Sequence, residues 1–517
     1  MSKPIPLPEE PADPNDTART SSPQSKTSSS TSHAKSKQNE VKFCENLLLL
    51  LKSAGTTLIQ SLTGFASFTS LVYFVSLKND PKLMGCFGLG ATLQFVFVYS
   101  FIIALNVGLS TVGSQAYGAG NPRLLGLYYK RAQIILMLVV IPMSLILANS
   151  ASLFRLIGVE PELALGLQDV LIHLLPSSVA VGLFDAGKNY LISQKIFSPQ
   201  SIIQIVSIVF DVSIQYTLIV HFDLGYLGIG LSRFLDEVGK LTMLSIFIKC
   251  SKKCQLSTVP WNKDCIKGLW KQFKEQLSAG GLMILDIFGS QIVLMQTAYL
   301  TPYEQAANSI GTRIMNFCLN FTWSLQTALS AFVGNSIGEQ NEKKVMTFVK
   351  AGLLIDGVIV CVTWMFVGTQ GENIARIFST DGKVVHIIEG LIGLYLLICP
   401  ADNLQAIFGG ILRSSGKGKT VSRLFLVTYY PVSVPISLLF AHRLGYGIYG
   451  LYLTIFIVKA INAIVMIVMF KRLNIKEEME KVAKNLKEED KMTRQASKLQ
   501  TSDIETGPEE TDSQNES

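Results

Sequence analysis

Apolar residues in this chain run unbroken for about 20 to 25 positions at a time, neither alternating with polar ones nor keeping to one face of a helix. A run of that length crosses a hydrocarbon core of about 30 Å as a helix. The pattern predicts helices near 54–77, 84–108, 127–148, 170–192, 201–221 and 224–248. After a polar stretch, six more follow near 277–300, 306–333, 346–368, 384–408, 420–440 and 446–470. Strands are not expected, because a lipid-spanning barrel would need alternating segments. The reading is an all-α polytopic membrane protein with twelve transmembrane helices in two pseudo-symmetric six-helix lobes.

The halves are related by a repeat. Gly113 to Arg131 reads GSQAYGAGNPRLLGLYYKR, and Val333 to Ala351 returns it as VGNSIGEQNEKKVMTFVKA. Gly118 falls on Gly338, Asn121 on Asn341 and Lys130 on Lys350, and LGYLGIG at 224–230 falls on LGYGIYG at 444–450, all at the same offset of 220 residues. One match of small residues carries little; two at one spacing point to a duplicated half. The expected division is a disordered tail over 1–42, an N-lobe over 43–248, a basic linker over 249–275, a C-lobe over 276–473, and a charged tail over 474–517. In that last tail, a short exposed helix precedes a disordered end.

Composition agrees with membrane residence: mean hydropathy is +0.36, with 49% hydrophobic and 16% charged residues over 517 positions. Lysine and arginine collect on one side of the predicted helices, including seven lysines in the 249–275 linker. The positive-inside rule makes that side cytosolic and places both termini there. The net charge of +7 then reflects topology and an anionic leaflet, with no nucleic-acid partner implied. The eight cysteines form no CxxC pair, so neither a disulfide framework nor a metal site is expected.

Three stretches imitate chemical motifs without their context. Gly334-Asn335-Ser336-Ile337-Gly338 fits a nucleophile elbow but lies in the repeat, with no strand before it. The glycines at 445, 447 and 450 match a dinucleotide fingerprint that likewise lacks its strand. Ser415 to Thr420 ends like a phosphate loop, but Arg413 stands where the first glycine belongs. No enzyme, cofactor or ATP-driven pump is indicated.

The informative residues are acids inside apolar runs, because a carboxylate at a bilayer centre costs about 2.5 to 3.5 kcal/mol even on the lenient insertion scale. Asp286 and Asp402 lie in the seventh and tenth predicted helices with no basic residue one turn away, so both are expected to be unpaired and free to exchange a proton or cation. Asp211 and Asp185 are secondary candidates in the first half. Asp356 reads as a packing polar group. Arg233 with Glu237, and Asp236 with Lys240, are spaced to neutralise one another. Pro176, Pro199 and Pro400 are expected to kink or bound helices and to serve gating. A kink at Pro400 would aim Asp402 at the space between the halves.

These stretches resemble the multidrug and toxin extrusion (MATE) antiporters, most of all their eukaryotic branch. The likeness rests on Ser114 to Asn121 with Gly126 and Arg131, on Tyr190-Leu191 with Gln194 and Pro199, on Val333-Gly334-Asn335 with Gly338 and Asn341, and on Gly409 to Arg413 with Gly416 and Tyr429-Tyr430. It runs from about Glu45 to Leu473. The resemblance implies two six-helix lobes around a central cavity, exporting organic, often cationic, solutes in exchange for protons or sodium. It also implies coupling acids at the positions of Asp286 and Asp402, where the family usually has Glu. Departures stand at Gln291, where a second acid is usual and which is kept as a secondary candidate, at Arg313 in place of Glu, at Phe332 in place of Arg, and in a first helix without proline. They leave the charge of the substrate open.

The expected function is therefore secondary antiport of small organic solutes by a monomer in the bilayer, driven by H+ or Na+, in a plasma or vacuolar/endosomal membrane. The alternatives are a flippase for lipids or lipid-linked sugars from the same superfamily, and a membrane scaffold that has lost transport.

Overall fold

The computed structural model describes residues 27–156, 160–379 and 381–505. Among them there is no strand. The helices are α1 (Thr27–Ser76), α2 (Pro81–Gln94), α3 (Ser100–Gly118), α4 (Pro122–Ala148), α5 (Ala151–Leu156), α6 (Pro161–Ser193), α7 (Ser198–Gln215) and α8 (Gly225–Cys250), followed by α9 (Leu269–Met295), α10 (Pro302–Gly338), α11 (Glu342–Phe378), α12 (Gly382–Leu412), α13 (Gly418–Val427), α14 (Ser433–Leu438), α15 (Gly447–Lys471) and α16 (Ile475–Glu505). The chain divides into two units, one ending at Glu45 and one beginning at Asn46. The described part of the first, 27–45, is helical.

Two expectations about the tails change. Residues 27–42 were expected to be disordered but belong to α1, consistent with the absence of any glycine or proline between Thr27 and Ala54. The charged run after 474 is neither short nor fully exposed: α16 has 31 residues, and Met479, Val482 and Glu489 on it are buried. The rest of the two expected disordered tails, 1–26 and 506–517, lies outside the described residues.

Nine helices among the described residues are long and apolar enough to cross a membrane, against the twelve expected. The three differences have local causes. α8 carries Arg233, Asp236, Glu237 and Lys240 across its middle. α10 is diluted by Asn308, Asn316, Asn320 and Gln326. The helices expected at 384–408 and 420–440 join through π-helical turns into one helical stretch, Gly382–Arg443.

The repeat is a helix end, a turn and a helix start. α3 and α10 stop at Gly118 and Gly338; Gly120 and Gln340 then take left-handed φ values of 76° and 55°. Asn121 and Asn341 cap the next helices, each side chain accepting a backbone N–H at 3.1 Å, from Leu124 and Lys344. Buried apolar side chains gather into clusters drawn from 71–265 in the first half and from 293–455 in the second.

The two copies meet each other. A Cβ at Gly118 would collide with the Asn335 carbonyl, and a Cβ at Gly338 with that of Gln115; Gln115 and Asn335 are themselves equivalent in the repeat. The amides cross over as well: Gln115 Nε2 donates to the Ser414 carbonyl at 2.8 Å, and Asn335 Nδ2 to that of Ser193 at 3.0 Å. Lys195 and Glu339 close the same seam at 2.9 Å. Glycine is needed here because the backbones of α3 and α10 approach more closely than any side chain allows.

Candidate functional site

α9, α12 and α15 bring three ionisable groups together inside the second half. Lys459 Nζ donates to Asp402 Oδ1 at 2.7 Å and lies 3.7 Å from Asp286 Oδ1. The Lys459 and Asp402 side chains are 8% and 7% exposed, whereas that of Asp286 is 25% exposed. The expectation that both acids are unpaired is therefore wrong. It considered neighbours along one helix, and the cation comes from another, 57 residues after Asp402.

Polar side chains around the acids build a network. The Tyr429 hydroxyl donates to Asp286 Oδ1, and Gln405 Nε2 reaches the same oxygen at 3.3 Å. Asn462 Nδ2 donates to Gln405 Oε1 at 3.1 Å, and Thr428 Oγ1 to Asn462 Oδ1 at 2.8 Å. Tyr429 comes this close because Gly289, one turn after Asp286 on α9, leaves room for its ring. The π-helical turn over Thr428–Val432, with Pro431 inside it, presents Tyr429 to this cluster. Among the described residues no three or more of His, Cys, Asp and Glu gather into a group that could hold a metal ion.

Two carboxylates and one ammonium leave one negative charge over when all three are ionised. That surplus falls on Asp286, the acid farther from Lys459 and less buried. Asp402 is the committed partner.

Other expected residues fall elsewhere. Pro400 and Pro176 lie inside α12 and α6, and Pro199 in the first turn of α7. Asp402, two residues after Pro400, is buried and pairs with Lys459 within the second half. Gln291 is half-buried and takes no part in the network. Asp211 is buried and accepts from Ser67 Oγ, which receives Arg233 Nη1 at 3.1 Å. Asp185 pairs with Lys188 on its own helix. The α8 cluster neutralises itself as its spacing predicts, with Arg233–Glu237 at 3.3 Å, Lys240–Asp236 at 2.8 Å and Lys240–Glu237 at 2.7 Å. Asp356, expected as a packing polar group, is 2% exposed, and its Oδ1 has no hydrogen-bond partner. Ser336 is buried within α10 and bonded to the Phe332 carbonyl, a poor place for a nucleophile.

Sequence reasoning missed Lys459, Tyr429, Gln405 and Asn462 as site residues. Lys459 had a signal: it is the single Asp, Glu, Lys, Arg or His between Gly447 and Phe470, and an intramembrane charge implies a partner. Gln405, Asn462 and the Tyr429 hydroxyl had none, since neutral polar groups are ordinary in such helices.

A family model described as MatE matches residues 56–217 and 280–439, more than half of the chain. An uncharacterized transporter of Schizosaccharomyces pombe is 26% identical over 81% of this chain and 77% of its own length. Multidrug and toxin extrusion protein 1 of Danio rerio is 24% identical over 84% of this chain and 74% of its own. Among solved structures, the crystal structure of the eukaryotic MATE transporter AtDTX14 superposes with a TM-score of 0.81 at 20% identity, covering 86% of this chain and 99% of that one. A MOP-superfamily transporter from Pyrococcus furiosus gives 0.74 at 16% identity over 84% and 96%. The apolar helices, the duplicated half and the two matched blocks lead to one conclusion: the chain is an integral, multi-pass membrane protein that belongs to the MATE family of transporters, and is not an enzyme.

Proposed function

We propose that this transporter is a secondary antiporter, exporting small organic solutes in exchange for protons, or for sodium, by exposing the Asp286–Lys459–Asp402 cluster to the two sides in turn. The observation that carries the reading is the charge count: one ammonium shared by two carboxylates, with the surplus on the more exposed Asp286. A lone acid no longer serves as the carrier, because Lys459 already occupies the position a bound cation would take beside Asp402. A proton or sodium ion arriving at Asp286 cancels the surplus and frees α9 from the attraction of α15. Its departure restores that attraction, and the halves rock about the seam as the two states alternate. Moving one charge down a membrane potential supplies about 2.3 kcal/mol per 100 mV, which drives export without ATP.

In this reading the linker side is cytosolic, both termini with it, the protein acts as a monomer, and the membrane is the plasma or a vacuolar/endosomal one. Proteoliposomes test it, with imposed proton and sodium gradients and a panel of cationic, anionic and neutral fluorescent solutes. Efflux that follows one gradient, and falls about tenfold or more in Asp286→Asn at unchanged thermal stability, is expected. Efflux indifferent to both gradients overturns antiport, and movement of a headgroup-labelled lipid alone favours the flippase.

A further inference from the structure

α16 holds both halves at once. Its buried positions, Ile475, Glu478, Met479, Val482 and Glu489, recur at helical spacing and form one face. At the start of that face the grip is on the second half. Lys417 pairs with Glu478 at 2.9 Å, Gln340 Nε2 donates to the Met479 carbonyl at 2.7 Å, and Lys476 lies 3.7 Å from Glu342. Farther along, the grip is on the first half and on the first turn of α9, which Gln272 ties to the Tyr128 carbonyl of α4 at 2.7 Å. Glu489 accepts from the Tyr128 hydroxyl at 2.8 Å and from Arg131 Nη1 at 3.2 Å, with Lys271 of α9 at 3.5 Å. Asn121 Nδ2 donates to Asp490 at 3.0 Å, and Leu486 packs on the first half's apolar cluster.

The gripped residues belong to the seam. Asn121 follows Gly118 in the first copy of the repeat; Gln340 follows Gly338 in the second; Lys417 lies three residues from Ser414, which Gln115 holds. From Glu478 to Glu489 a helix spans about 16 Å at its fixed rise per residue. It cannot stretch when the seam parts, and a hydrogen bond beyond about 3.5 Å is lost.

We propose that α16 is a clasp over the seam: it resists separation of the two repeat copies and releases the second half, not the first, each time they part. The direction follows from burial. Both partners are buried at one end, with Arg131 5% and Glu489 7% exposed, whereas at the other Glu478 is 11% exposed but Lys417 is 34% exposed. Breaking the Glu489 end pulls a buried carboxylate away from a buried guanidinium, whereas breaking the Lys417 end returns a lysine to water and leaves Glu478 paired with Lys481 on its own helix at 3.0 Å.

The flux part of the test rests on the alternating reading proposed above; the exchange part does not. In the chain truncated after Asn474, amide hydrogen exchange of 113–121 and 333–341 is expected to speed up about tenfold in both segments. Unchanged exchange overturns the clasp, and thermal unfolding of the same sample reports whether the shortened chain is folded. In the full chain, a disulfide between Lys417→Cys and Glu478→Cys is expected to lower efflux about tenfold until it is reduced. A disulfide between Asn121→Cys and Asp490→Cys should leave oxidised and reduced efflux within about twofold. Indifference to the first cross-link overturns the clasp; an equal block by the second overturns the direction of release. Faster seam exchange in a protein that moves no solute leaves the clasp standing and removes the antiport reading instead.

Discussion

Lys459 reaches from α15 to Asp402 on α12 with 2.7 Å between nitrogen and oxygen, and both side chains are shut away from solvent. Removing the lysine leaves two carboxylates inside the helical bundle without their cation, an arrangement that costs about 3 to 5 kcal/mol. Lys459→Met is therefore expected to lower the thermal midpoint markedly. Adding Asp402→Asn should recover much of the loss, because the remaining Asp286 is the more exposed acid. Differential scanning of the single and double variants in detergent checks this; equal losses in both would mean the pair is not coupled.

Tyr429 fixes the other acid. Its hydroxyl donates to Asp286 and its ring packs on Gly289. Tyr429→Phe keeps the packing and deletes a hydrogen bond to a charged group, worth about 1.5 to 3 kcal/mol. Gradient-driven efflux should fall about tenfold, while the thermal midpoint drops by less than in Lys459→Met. Full efflux in this variant would reduce Tyr429 to a packing residue.

The seam makes a reciprocal prediction. Gly118→Ala and Gly338→Ala each place a methyl group against a carbonyl of the other copy, an overpacking that costs about 1 to 3 kcal/mol. The two variants should lose similar stability in thermal unfolding. A large loss from one and none from the other would contradict the symmetry of the contact.

Two carboxylates outside the membrane helices predict the acid limit of the linker side. Burial alone would raise both, but hydrogen bonds from Lys344 and Lys195 hold Glu339 below the ordinary 4.5, and those from Lys417 and Lys481 do the same for Glu478. In the unfolded chain these groups take up protons near the ordinary value, while the folded ones resist to lower pH. Their contribution is complete above 4.5 and is lost as pH falls through the lowered values. Thermal midpoints measured downward from neutral pH should decline less steeply below 4.5 in the Glu339→Gln and Glu478→Gln variants than in the parent chain.

Much of this architecture is readable from local signals. Run length and the lack of alternation specify membrane helices, because burial in lipid demands internal backbone pairing whatever the neighbours are. Gly118 and Gly338 end helices, and Asn121 and Asn341 start the next ones, by rules that operate within a few residues. The helix count was less legible. α8 and α10 carry polar groups satisfied or tolerated by packing, and Gly416 turns left-handed inside a stretch that otherwise runs on from α12 to Arg443.

By itself the sequence determined the membrane class, the duplication and the presence of acids whose burial needs a reason, since each follows from composition or from spacing along one helix. Only the tertiary structure decided how those acids are compensated. Lys459 answers Asp402 and Asp286 from a third helix, Asp356 is left with an oxygen that nothing answers, and a charged tail becomes a helix lying over both repeat copies. The physical reason is the same in each case. The energy of a buried charge depends on which helices pack beside it, and that information is absent from the periodicity of any one of them.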